Sequence, residues 1–109
     1  MQTKSTALTF ETNAVRAEKS ERLNISISTP YDTGKGNWAC LFELRGIKSE
    51  EESYEYFGAD GLQALILNLY YLRSLFSRLR KEGYTFRETA SGEEINLDDY
   101  FNVFTRNGA

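Results

Sequence analysis

Residues 58–73, GADGLQALILNLYYLR, contain the change in hydrophobic period that decides the fold. From residue 62 onward, apolar side chains recur at the three- and four-residue spacing of one face of an α-helix. Asp60 precedes this run and Gln63 follows it three residues later, which is the spacing of an N-terminal capping box. Basic residues and then Gly83 close the pattern, as is typical of a helix C-terminus. The sequence therefore predicts a long helix over 61–82, capped by Asp60.

The two glycines at the start of this helix also suggest a phosphate site, because helix N-termini bind anions. Asp60 argues against that interpretation. Its carboxylate satisfies the helix end as an anion would, and it repels a phosphate. We interpret the segment as a capped helix that packs on another part of the chain.

Upstream of the helix, hydrophobic and polar residues alternate with the period of β-strands. The segments are ALTFE at 7–11, LNISIST at 23–29, NWACLFELRGI at 37–47 and ESYEYFG at 52–58. Loops rich in glycine, aspartate and serine join the later segments, which favours an antiparallel meander.

Downstream of the helix, residues 84–97 are typical of a hairpin that turns around Ser91 and Gly92. A short helix with Leu97, Tyr100, Phe101 and Phe104 on one face and Asn96 as its cap follows. The predicted fold class is α+β: an antiparallel sheet of about four strands, one long helix packed across it, and a C-terminal hairpin plus short helix. The predicted organisation is a single domain over 1–109, with the sheet at 5–58, the long helix at 60–82 and the C-terminal elements at 84–105.

Both sides of the long helix carry apolar residues. We expect the sheet-facing side to hold Leu62, Leu65, Ile66, Leu69, Leu72, Phe76 and Leu79. Ala64, Leu67, Tyr71 and Leu75 form a second stripe on the opposite side, where a solvated helix would be polar. Two explanations remain open at this point. The stripe is covered either by the C-terminal segment of the chain, or by a partner, which is another protein or a second copy of this one. Leu67, Tyr71 and Leu75 are therefore a possible second interface.

Composition limits the possible partners. The 109 residues carry a net charge of −3, which argues against binding to nucleic acid or to an anionic membrane surface. A single cysteine excludes an intrachain disulfide and favours a reducing compartment. The N-terminal residues lack the apolar core of a secretion signal, and no apolar run is long enough to span a bilayer. We expect a cytoplasmic protein.

The sequence offers little for catalysis. It contains no histidine, which removes the commonest general base and metal ligand. Cys40 lies in a strand among core residues, and adjacent carboxylates point in different directions on a strand or helix. DTGKGN at 32–37 lacks the spacing of a phosphate loop and is typical of a hairpin turn. We expect no enzyme activity, no cofactor and no metal.

Two stretches combine acidic residues with tyrosine, a composition suited to contact with a basic protein. They are SEEESYEYF at 49–57 and EEINLDDYF at 93–101. The predicted partner-binding residues are Glu51, Glu52, Tyr54, Tyr56, Asp98, Asp99 and Tyr100. Solvated loops with core-facing tyrosines are the alternative interpretation of each stretch.

The strand with Trp38 and Cys40 is followed by an aromatic-Gly-x-Asp-x-x-Gln-Ala-Leu helix start. The residues of that helix start are Phe57, Gly58, Asp60, Gln63, Ala64 and Leu65. The order of these motifs resembles a family of small bacterial domains of unknown function, over roughly residues 20–80. The resemblance implies the fold and no activity.

The size, acidity and lack of histidine are also similar to those of immunity proteins, which neutralise a toxin domain with a basic active site. This likeness is the basis of the predicted function: a non-catalytic domain that binds a cognate toxin through an acidic, tyrosine-containing surface. Two alternatives remain open. One is a structural or adaptor protein that self-associates or binds a partner through the helix stripe, and the other is a small-ligand-binding domain.

Overall fold

In a computed structural model that describes residues 5–101, the chain forms one seven-stranded sheet, a long helix and two short helical turns. In chain order the elements are β1 (Thr6–Arg16), β2 (Lys19–Ser28), β3 (Tyr31–Asp32), β4 (Trp38–Arg45), a 3-10 turn (Lys48–Glu50), β5 (Glu52–Gly58), α1 (Gly61–Lys81), β6 (Thr85–Arg87), β7 (Glu94–Ile95) and α2 (Asp98–Phe101). Every strand pairing is antiparallel. The predicted α+β class is confirmed, but the sheet has more strands than the expected four.

The strands lie in the order β5–β4–β2–β1–β6–β7, and β3 continues beyond β2 along the same edge of β4. Ile27 pairs with Phe42 whereas Tyr31 pairs with Ala39, so one extra residue stands between β2 and β3. Pro30 lies in this bulge, where the ladder does not need a backbone N–H.

A two-residue hairpin loop joins β1 to β2, since Arg16 pairs with Lys19. The loop residues Ala17 and Glu18 both have positive φ, at 51° and 68°. This is the conformation of a type I′ turn, which usually carries Asn-Gly. The sequence lacks that signal, which explains why the full extent of β1 and β2 is not predicted.

The predicted C-terminal hairpin is confirmed, and it extends the main sheet instead of forming a separate element. Phe86 of β6 pairs with Ala14 of β1 on one side and with Ile95 of β7 on the other. Gly92 adopts φ of 76° in the connecting turn. This pairing adds β6 and β7 to the sheet edge next to β1.

The predicted ends of α1 are confirmed. The Asp60 side chain accepts the backbone N–H of Gln63 at 2.8 Å. At the other end Gly83 has φ of 100°, and the N–H of Tyr84 bonds to the carbonyl of Leu79 at 3.1 Å. This is a Schellman motif, in which glycine tolerates the left-handed conformation.

α1 approaches β4 and β5 closely at its N-terminal end. A Cβ atom on Gly58 would lie 2.6 Å from the backbone nitrogen of Ala64. Ala64 and Asn68 are fully buried, and the Asn68 Nδ2 donates to the carbonyl of Cys40 at 3.2 Å. Small and polar residues therefore face this part of the sheet, and the larger apolar ones lie elsewhere on the helix.

This orientation corrects the predicted helix faces. Leu62 is 67% exposed and Ile66 is 53% exposed, although both were expected in the core. Leu75 is 1% exposed and belongs to the core, and Tyr71 packs against it. Of the four residues in the predicted second stripe, only Leu67 is exposed as expected, at 41%. Leu75 and Tyr71 therefore need neither the C-terminal segment nor a partner to cover them.

α2 begins at Asp98, within the predicted C-terminal helix, and Phe101 is the last residue that the structure describes. Asn96 accepts the N–H of Asp98 at 3.1 Å, as its expected capping role requires. Leu97 is buried, whereas Tyr100 lies edge-on to Phe10 of β1 with ring centroids 6.5 Å apart. The prediction for Phe104 falls outside the described residues.

The strained β1–β2 turn yields a first prediction. We expect Glu18→Gly to raise the free energy of unfolding by about 1 kcal/mol, because glycine adopts positive φ without a Cβ penalty. Denaturant unfolding of the variant measures the change. Ser20→Gly, two residues on in β2, is the matched control and should lower stability by about 0.5–1 kcal/mol. Destabilisation by both substitutions would contradict the positive-φ explanation.

Candidate protein-binding surface

β5 is a seven-residue strand at one edge of the sheet, and within residues 5–101 it pairs with β4 alone. Its side chains alternate between the helix-covered face, with Tyr54 and Tyr56, and the open face, with Glu55 and Phe57. We call Glu51, Glu52, Tyr54 and Glu55 the β5 edge surface. Tyr54 is 58% exposed, and Glu51 and Glu55 are also exposed.

A ladder of aromatic rings supports Tyr54 from below. The Tyr54 and Tyr56 rings lie 5.8 Å apart, and Tyr56 lies 5.4 Å from Tyr71 of α1. Tyr71 in turn meets Phe42 of the core edge-on at 5.3 Å. Contacts of this kind restrict the rotation of the rings, so the exposed ring of Tyr54 is held in one orientation.

Three carboxylates of this segment accept hydrogen bonds from neutral donors. The donor and acceptor pairs are the Gly46 N–H with Glu51 at 3.1 Å, the Tyr71 hydroxyl with Glu52, and the Tyr31 hydroxyl with Glu55. These bonds orient the carboxylates without cancelling their charge. Among the described residues none of the three is in an ion pair, whereas the neighbouring Glu50 binds Arg78 at 2.9 Å. The β5 edge surface thus carries three oriented carboxylates that are not in ion pairs, with Glu52 on the face of Tyr54 and Glu55 on the opposite face.

The carboxylates also change the acidity of the tyrosines that bind them. Burial raises the pKa of Tyr71 above its usual value of 10, and the hydrogen bond to Glu52 raises it further. Burial and the hydrogen bond to Glu55 raise the pKa of Tyr31 in the same way. Both phenols are therefore protonated at neutral pH and act as hydrogen-bond donors.

The second predicted stretch lies toward the opposite edge of the sheet, on the same helix-covered face. Asp98 pairs with Arg80 of α1 at 3.1 Å, and Tyr100 packs near Phe10 of β1, three strands away from β5. At about 4.8 Å per strand this is a distance of about 14 Å across the sheet. Asp99 is exposed. The structure therefore separates the two acidic stretches, which the sequence treats as one type of surface.

Leu62 and Ile66, which the sequence assigns to the core, are instead exposed on α1, as is their neighbour Tyr70. We call Leu62, Ile66 and Tyr70 the α1 outer stripe, since they follow each other at four-residue spacing. Their exposures are 67%, 53% and 70%. The small size of Gly58 and Ala64 was the available signal for this orientation, because close helix packing needs small residues on the contact side.

The remaining candidates for chemistry have structural roles. Cys40 is fully buried, and its Sγ lies 3.2 Å from the carbonyl of Ser28, which confirms it as a core residue. Burial raises the pKa of its thiol. Among residues 5–101 no group of histidine, cysteine, aspartate or glutamate side chains could hold a metal ion.

The DTGKGN segment forms the predicted hairpin turn between β3 and β4. Asp32 accepts the N–H of Gly34 at 2.8 Å, and Thr33 accepts the N–H of Lys35 at 3.2 Å. Backbone donors that would bind a phosphate are thus occupied by the turn itself. An open groove of about 850 Å³ lies beside this turn, lined by Tyr31, Lys35 and Phe57 among others.

None of the helices in the described part of the chain is long and apolar enough to cross a membrane. The model of a domain of unknown function, DUF6968, matches residues 9–92. The chain belongs to the DUF6968 family. This confirms the resemblance predicted from the motifs around Trp38 and Asp60, and the match extends it to most of the sheet. No match was found among curated proteins or among solved structures.

The DUF6968 match includes the whole β5 edge surface and all of α1, whereas β7 and α2 lie beyond it. Glu51, Glu52, Tyr54 and Tyr56 therefore belong to the family domain. Asp98, Asp99 and Tyr100 do not fall within the matched residues.

The hydrogen bonds of the tyrosines predict a pH dependence. An unfolded chain ionises its phenols near pH 10, whereas the folded protein keeps Tyr31 and Tyr71 protonated to higher pH. The free energy of unfolding should therefore fall as the pH rises above 10, up to the folded pKa values. Denaturant unfolding between pH 9 and 11.5 measures this slope. The double variant Tyr31→Phe, Tyr71→Phe should show a shallower slope, and an unchanged slope would contradict the assignment.

Proposed function

We propose that this protein is a non-catalytic protein-binding domain whose β5 edge surface binds a basic partner protein. One observation carries the proposal: neutral donors hold Glu51 and Glu52 near the exposed Tyr54, and they also hold Glu55 of the same edge strand, on the opposite face of the sheet. An acidic site with this arrangement keeps its full charge while its geometry is fixed. Both properties favour binding to lysine- and arginine-rich surfaces.

Charge determines the kinetics of such a complex. Three carboxylates without cationic partners create a local negative potential that attracts basic proteins and raises the association rate. Screening by salt reduces this attraction, with a Debye length of about 8 Å at physiological ionic strength. The complex should consequently form rapidly at low salt and more slowly as salt is added.

Tyr54 supplies the apolar part of the contact. Exposed tyrosine buries a large ring at little cost in side-chain entropy, and such residues dominate the binding energy of many interfaces. Its neighbours Tyr56 and Tyr71 fix the ring before binding. Pre-organisation of this kind reduces the ordering cost that a partner would otherwise meet.

The most specific form of the proposal is an immunity protein that neutralises a toxin domain with a basic active site. The β5 edge surface would occupy the cationic positions that bind phosphate in such a site. Its carboxylates would replace the anionic substrate. Asp98, Asp99 and Tyr100 lie toward the opposite edge of the sheet and are not part of the contact proposed here.

The proposal predicts the behaviour of an isosteric charge variant. The triple variant Glu51→Gln, Glu52→Gln, Glu55→Gln retains the hydrogen-bond acceptors and removes three negative charges. Glu88→Gln, Glu93→Gln, Glu94→Gln is the matched control, because these glutamates are exposed on the β6–β7 side and the change in net charge is the same. Affinity capture from the lysate of the native host, at low and high salt, compares the variants with the unchanged protein.

We expect the unchanged protein and the control to retain the same basic protein at low salt. The β5 variant should retain at least tenfold less of it, since each charged contact to a partner contributes about 1 kcal/mol or more. Tyr54→Ala should also reduce capture. Equal capture by the β5 variant and the control would overturn the proposed surface, and an acidic captured protein would overturn the charge argument.

A further inference from the structure

We propose that the α1 outer stripe is the contact of an antiparallel homodimer in which two copies of this chain pair around Ile66. The stripe consists of Leu62, Ile66 and Tyr70, all more than half exposed within a structure that describes residues 5–101. Exposed apolar residues in a continuous row are uncommon on the outer face of a helix and indicate an interaction site.

The charge pattern of α1 specifies a partner helix with the same pattern. Residues 61–72 contain no charged side chain, whereas Arg73, Arg78, Arg80 and Lys81 follow in the second half. A partner with charged side chains at this contact would bury them without an opposite charge. A second copy avoids this cost, because its own residues 61–72 are also uncharged. A lysine- or arginine-rich partner of the kind that fits the β5 edge surface would find no carboxylate on this half of α1.

The same pattern selects the antiparallel orientation. In a parallel pair Arg73 and Lys81 of one copy would lie beside those of the other and repel them, whereas Arg78 and Arg80 are held in ion pairs with Glu50 and Asp98. In an antiparallel pair centred on Ile66, Leu62 of each copy faces Tyr70 of the other. The overlap then covers residues 61–71, and the basic second halves extend beyond it on opposite sides. The helix dipoles are also antiparallel in this arrangement, which is favourable.

Ion pairs form at both ends of the overlap. With Ile66 at the two-fold axis, Arg73 of one copy lies opposite residues 59 and 60 of the other, where the N-cap Asp60 is exposed. Asp60 uses one carboxylate oxygen, Oδ1, for the backbone of Gln63, so its second oxygen is available for Arg73. Arg73 lies over the Phe101 ring at 6.0 Å, which leaves its N–H groups available for a carboxylate.

The size of the contact determines how strongly the copies associate. An overlap of eleven residues is about 16 Å long at 1.5 Å per residue, which is about three helical turns. Such a contact buries less surface area than the interface of a permanent dimer. The dimer should therefore be in rapid, concentration-dependent exchange with the monomer. Because the β5 edge surface lies at the sheet edge and the α1 outer stripe faces away from the sheet, a dimer would present two β5 edge surfaces at once.

Sedimentation equilibrium from 10 µM to 1 mM tests whether the dimer forms. We expect the unchanged protein to dimerise over this range, and Ile66→Glu to raise the dimer Kd at least tenfold by placing two carboxylates at the axis. Leu8→Glu is the matched control, since Leu8 is a 39% exposed leucine on β1 and the substitution adds the same charge. Tyr70→Ser is a second stripe variant should Ile66→Glu lower the melting temperature.

A monomer throughout this range would overturn the proposal, as would a dimer that Ile66→Glu and Tyr70→Ser leave unchanged. These outcomes do not bear on the β5 edge surface, because its glutamates lie outside the proposed overlap.

Cysteine cross-linking tests the orientation. The natural Cys40 is the chain's single cysteine and is fully buried, so an introduced thiol reacts alone. Under mild oxidation Ile66→Cys should cross-link to itself. A mixture of Leu62→Cys with Tyr70→Cys should give the mixed product at least tenfold faster than either variant gives its own dimer. Preferential self-linking at both positions would show a parallel pair and overturn the antiparallel assignment.

Discussion

The close contact between β5 and the first turns of α1 determines how the rest of the molecule is arranged. Gly58 has no space for a Cβ atom against the backbone of Ala64, and Ala64 has no exposed surface. Two of the smallest residues therefore bring the helix and the sheet together. A hydrogen bond from Asn68 to the Cys40 carbonyl fixes the same helix face. Within the described residues the Asn68 Oδ1 atom has no partner, so this polar pairing specifies orientation at some cost in stability.

That orientation creates both candidate interaction surfaces. It directs Tyr71 toward β5, where its ring supports Tyr56 and its hydroxyl holds Glu52. The same rotation turns Leu62 and Ile66 away from the sheet. If α1 were rotated about its axis so that the α1 outer stripe faced the sheet, Tyr71 would no longer contact Tyr56. Both surfaces thus result from the same orientation of α1 on the sheet.

Local signals in the sequence predicted the elements well. The ends of α1 follow from Asp60 and Gly83, because capping chemistry involves neighbouring residues. Cys40 and the turn at 32–37 were also interpreted correctly. The first hairpin was underestimated, since Ala17 and Glu18 adopt a conformation that their side chains do not favour and tertiary pairing imposes.

The sequence patterns did not determine how elements distant in the chain are arranged relative to one another. α1 is apolar on several sides, so its period indicated a helix without indicating which side meets the sheet. Likewise, composition identified the acidic stretches at 49–57 and 93–101, but only the strand order shows that they lie toward opposite edges of the sheet. Glu55 was missed as a member of the first site, because its role depends on Tyr31 from another strand.

Within residues 5–101 β5 has one unpaired edge, and this has a consequence for the behaviour of the protein at high concentration. A strand with one free edge and exposed aromatic side chains, here Tyr54 and Phe57, is a template for pairing with strands of other molecules. Charged side chains along such an edge prevent this ladder from growing, and Glu52 and Glu55 are placed to do so. The glutamates that are proposed to recruit a partner are thus also placed to oppose edge-to-edge association between copies. A substitution that removes their charge would weaken both effects at once.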